Sequence, residues 1–170
     1  MRYEKEENLL KMSAREFITR ARRGISETLP FEEDEPEMRD TSPKAAFLDG
    51  YAPVSADLSF SLGGYPALVR AVADRVDGDR LFFAVPCDAT PSHPGKELVA
   101  EARGEAYVAA LALLSEGGAT SLTLSFLYFR PATGETYESV ETVTKKKLES
   151  FFEKCRLALE KYALPEIERV

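Results

Sequence analysis

The sequence predicts a single α/β domain, a mixed β-sheet packed with helices. Three observations carry this. Ala56, Leu58, Phe60 and Leu62 alternate with polar or small residues, the period of a half-buried strand. Two more strand-like runs follow at 68–76 and 81–85, separated by the tight-turn sequence Asp77-Gly78-Asp79. A long helical run over 95–115 then leads to another alternating stretch at 122–129, so the chain crosses over a helix to its next strand.

Taken in order, residues 3–25 read as a helix, because Leu10, Ala14, Phe17, Ile18, Ala21 and Ile25 recur at spacings of three and four. Arg20, Arg22 and Arg23 near its end suit the negative pole of the helix dipole. Residues 27–44, with Glu32, Glu33, Asp34, Glu35, Glu37 and Asp40 among Pro30, Pro36 and Pro43, read as a solvated loop or linker. Gly63-Gly64 marks a hairpin turn, since glycine accepts the positive φ such turns need. The first three strands therefore form an antiparallel meander. After the 95–115 helix, Gly117-Gly118 stops the chain before the fourth strand, and a short strand is expected near 137–142. Thr144 is a good N-cap for a last helix that buries Leu148, Phe151, Phe152, Cys155, Leu159 and Tyr162 and stops at Pro165.

Composition narrows the function classes. The chain has 170 residues, 44% of them hydrophobic and 30% charged, ordinary for one folded domain occupying residues 1–170. It has no apolar run long enough to span a bilayer, and its acidic start is unlike a signal peptide, so a cytoplasmic address is expected. Two cysteines are too few for a disulfide framework, and one histidine rules out a multi-histidine metal cluster. A net charge of −7 opposes nucleic-acid binding by the isolated chain, leaving local clusters such as Lys145-Lys146-Lys147.

Residues 55–130 carry an order of short motifs. Ala71-Val72-Ala73-Asp74-Arg75 precedes a tight turn, then the hydrophobic strand 81–85, then Cys87-Asp88-Ala89-Thr90, and then a helix containing Glu105-Ala106-Tyr107-Val108-Ala109. This order resembles the core of RecB-type PD-(D/E)XK nucleases, in which G-x-x-D-R, D-Y-K-T and Q-x-x-x-Y follow one another. The resemblance implies a restriction-endonuclease-like sheet and a divalent ion, magnesium or manganese, that activates water and neutralises the phosphate. It also implies which residues would do this. Asp74 keeps the first ligand, while Cys87 and Ala89 stand where a carboxylate and a lysine belong. Shifting the register by one offers Asp88 as a ligand, yet Thr90 then takes the lysine position. Lys96 is a displaced substitute at best.

Glu105 is informative without the resemblance. At 100° per residue it lies amid Leu98, Ala102, Ala109 and Ala112, and a carboxylate in an apolar stripe needs a partner, a proton or a cavity. Three functional readings follow. The leading one is a nuclease-like domain without activity and without a cofactor, serving as an interaction or scaffold module beside a helicase or recombination enzyme. The second is an active nuclease using Asp74, Asp88 and Glu105 with Lys96. The third is an unrelated small α/β binding protein. A Cys87–His93 catalytic pair is the weakest of the alternatives, because His93 sits in a proline-rich loop.

Overall fold

The computed structural model describes residues 4–6, 9–24, 39–40, 52–88 and 90–162. Their order is β1 (Glu4–Glu6), β2 (Leu9–Ser13), α1 (Ala14–Gly24), β3 (Arg39–Asp40), β4 (Val54–Leu62), β5 (Tyr65–Ala73), β6 (Arg75–Asp77), β7 (Arg80–Pro86), α2 (Lys96–Glu116), β8 (Ser121–Phe129), β9 (Thr136–Thr144) and α3 (Lys145–Tyr162). The protein is α/β, with two mixed sheets ordered β1-β2-β5-β4 and β3-β9-β8-β7-β6.

The antiparallel pairs expected of the meander form, but they are divided between the two sheets instead of lying in one. β4 and β5 pair antiparallel through the Gly63-Gly64 turn, with φ of 56° and 85° at the two glycines, the positive values a two-residue hairpin loop needs. β6 and β7 pair antiparallel, and the crossover through α2 brings β8 parallel to β7. β9 is longer than expected, pairing with β8 along nine residues.

The first helix starts later than its periodicity suggests. Residues 9–13 form a strand that pairs parallel with β5, burying Leu10 and Met12 while Ser13 stays exposed. Both spacings fit Leu10 and Ala14, so tertiary pairing decides. Ser13 then accepts the Glu16 N–H at 3.1 Å, capping α1. Most of the acidic stretch 27–44 lies outside the described residues, but Arg39–Asp40 pairs with β9 and is strand, not loop. The side chain of Tyr162 and the stop at Pro165 also lie outside them.

One core joins the layers. α2 packs against β4 and β5 and touches β7 and β8, while α1 and α3 pack on α2 and on each other. Phe17 of α1 stacks on Phe152 of α3 at 4.8 Å, and Phe60 of β4 meets both rings edge-on at 5.7 and 5.3 Å. Where α1 crosses α2, Ile18 lies against Gly104 so closely that an added Cβ would stand 2.8 Å from its Cγ2. That approach brings the charged flanks of the two helices within reach of one another.

Candidate functional site

The two sheets part at Asp74. β5 pairs with β2 as far as Arg70 and with β4 as far as Ala73, and after a bend at Asp74 the strand continues as β6 against β7. The fork opens a cleft of ≈ 260 Å³ with walls from Val72, Phe83, Val85, Leu98 and Ala102. Its polar groups are Asp74 from the bend, Glu101 and Glu105 one turn apart on α2, and Arg15 from the first turn of α1.

Each of these groups has a partner. The Asp74 carboxylate accepts the Ala84 N–H at 2.7 Å. It does not pair with Arg70, which is bound to Asp57 at 2.8 Å, nor does Arg75 turn to it at ion-pair distance, its guanidinium lying 3.9 Å from the centre of the Phe82 ring. Glu101 meets Arg22 at 3.4 Å. Glu105 meets the largely exposed Arg15 at 4.0 Å. Burial pushes the Glu105 carboxyl above the ordinary glutamate range; Arg15 opposes this and Glu101 adds to it.

Of the residues singled out in the sequence, Asp74 and Glu105 share this cleft, whereas Asp88 and Lys96 do not line it. Asp88 and Lys96 are both exposed, one just beyond the end of β7 and the other at the start of α2. Cys87 does not line the cleft: it is buried past the end of β7, and its thiol donates to the Phe129 carbonyl at 3.3 Å. Burial, with the charge of Asp88, raises its pKa, the opposite of an activated nucleophile. His93 is exposed and sits 3.0 Å from the Ser92 hydroxyl. The residues of β7 that line the cleft beside Asp74 include Ala84 and Pro86, three positions upstream of the Cys87-Asp88-Ala89 register. Sequence reasoning missed Glu101, although its i, i+4 spacing to Glu105 places both on one helix face.

The carboxylates that line the cleft are engaged within the protein, Asp74 by the Ala84 N–H, Glu101 by Arg22 and Glu105 by Arg15. Among the described residues no group of three or more His, Cys, Asp or Glu side chains is arranged to hold a metal. Nor does any described residue lining the cleft supply a lysine.

Replacing Glu105 with Gln tests how the helix carboxylate is held. Its pair with an exposed arginine is weak, so the change in stability at neutral pH is expected to be within about 1 kcal/mol, neutral or slightly stabilising. The sign follows from the raised pKa. The folded protein holds the Glu105 proton more tightly than the unfolded chain, so this group's contribution falls as pH rises from the ordinary glutamate value through the raised one. Below that window wild type and variant should converge in urea titrations. A loss of several kcal/mol at neutral pH would make Glu105 a structural ion-pair partner instead.

No known family model matches this chain, and no curated protein matches it. Among solved structures it is similar to one described as "Crystal structure of SSO0001", with 12% identity over 95% of this chain and 81% of that one, and a TM-score of 0.49.

Proposed function

We propose that this chain is a RecB-type nuclease-like domain that no longer hydrolyses DNA and works as an interaction or scaffold module, in the cytoplasm, beside a helicase or recombination subunit. The observation that carries the reading is the composition of the fork. It keeps an acidic residue, Asp74, at the strand bend and acidic residues on the following helix, but lines the adjacent strand with Ala84 and Pro86. No residue from 84 to 90 is a lysine, so no register of the motif restores the missing cation beside an attacking water. The order of a helix, a meander, a crossover helix and a strand parallel to the third agrees with the resemblance.

Charge points the same way. At −7 the chain repels phosphates overall, which favours a protein partner over DNA. Both cysteines are free and buried, in keeping with a reducing compartment. No helix among the described residues is long and apolar enough to cross a membrane.

Purified protein is expected to cut neither single- nor double-stranded DNA above background with magnesium or manganese. Metal-dependent cleavage that disappears in Asp74→Ala would instead establish an active nuclease.

A further inference from the structure

We infer that the Asp74 carboxylate is a structural latch, standing in for the backbone acceptor that β7 loses where the two sheets part. The inference rests on the fork alone and holds whatever the ancestry of the domain.

Three hydrogen bonds converge on this residue. Its carbonyl accepts the Ala52 N–H at 3.0 Å, at the entry to β4, and its own N–H donates to the Phe82 carbonyl at 2.9 Å. These continue the ladders on either side of the bend. The last residue pair of the β6–β7 ladder is Arg75 with Phe82, so two residues on, Ala84 has no β5 residue paired opposite it. Ala84 is only partly exposed, and a donor there needs an acceptor. The Asp74 side chain supplies it at 2.7 Å, from the same residue whose backbone binds Phe82. One residue therefore ties β7 at two points and β4 at a third, and it does so at the mouth of the cleft.

This role differs from that of a metal ligand. The oxygen that meets Ala84 is committed to the backbone, and the helix carboxylates opposite are turned to arginines, Glu101 to Arg22 and Glu105 to Arg15. A latch needs only an acceptor of the right shape, which an amide oxygen also provides. A ligand needs the charge.

The two roles separate on amide exchange. Hydrogen exchange of the Ala84 amide is followed by NMR in wild type, Asp74→Asn and Asp74→Ala, and spectra of wild type and Asp74→Asn are then recorded with added manganese. The latch predicts that Asn keeps the protection to within roughly threefold, whereas Ala loses it by about tenfold or more. Manganese should produce no site-specific broadening at Asp74, Ala84 or Glu105. Unchanged protection in Asp74→Ala overturns the inference. So does loss in Asn as great as in Ala, or broadening by manganese that vanishes in Asp74→Asn. Should Asp74→Ala fail to fold, Asn against wild type and the manganese experiment still decide.

Discussion

Glu141→Ala is expected to lower stability by about 3–5 kcal/mol, measured by urea unfolding at neutral pH. Glu141 on β9 holds Arg103 of α2 through two bonds, 2.9 and 3.0 Å, and accepts the Tyr107 hydroxyl at 2.8 Å on the second oxygen. Arg103 itself lies 3.3 Å from that hydroxyl, so three side chains close one network between the helix and the sheet. Arg103 is 5% exposed. Burial pulls its pKa down, and the hydrogen bonds and charge of Glu141 more than restore it, leaving it raised. Removing the carboxylate would take away three hydrogen bonds, two of them from a buried cation, where water barely reaches. A double variant, Arg103→Met with Glu141→Leu, should recover most of the loss, because it removes both charges from the interior together and keeps apolar volume in their place. A loss below about 1 kcal/mol in the single variant would mean that the edge of Glu141 open to solvent lets water take over.

Phe17→Ala is expected to cost about 3–5 kcal/mol by the same measurement. The ring is fully buried and touches rings from β4 and α3, so its removal empties a space that three elements share. Collapse would have to come from Phe60 and Phe152, which are also fixed against each other at 5.3 Å. α1 would lose its main anchor, and with it the position of Arg15 at the cleft. A loss under about 2 kcal/mol would show that these rings close the gap.

The strands 54–62 and 80–86, the Gly63-Gly64 hairpin and the helices over 96–116 and 145–162 were legible in the residues. Each rests on a local cause: a period of two or 3.6, a positive φ, or a cap such as Thr144, whose hydroxyl accepts the Lys147 N–H at 3.2 Å. The oddness of Glu105 was legible too, because a carboxylate among Leu98 and Ala102 violates the helix's own pattern. The start of the chain was not. Residues 9–13 join the sheet by pairing with β5, and that partner is more than fifty residues away. Nor was the register of β7 at the cleft legible, since strand length and the place where two sheets diverge depend on which ladders continue. Glu101, Arg103 and Glu141 look like ordinary surface charges in the sequence; their roles come from what the fold sets opposite them. The sequence by itself determined the α/β class, the hairpin and the two long helices, because short-range sterics and hydrophobic period decide those. Only the tertiary structure decided that Asp74 sits at a fork, which Asp74 holds through Ala84, because a hydrogen bond between strands ten residues apart leaves no mark in the chain between them.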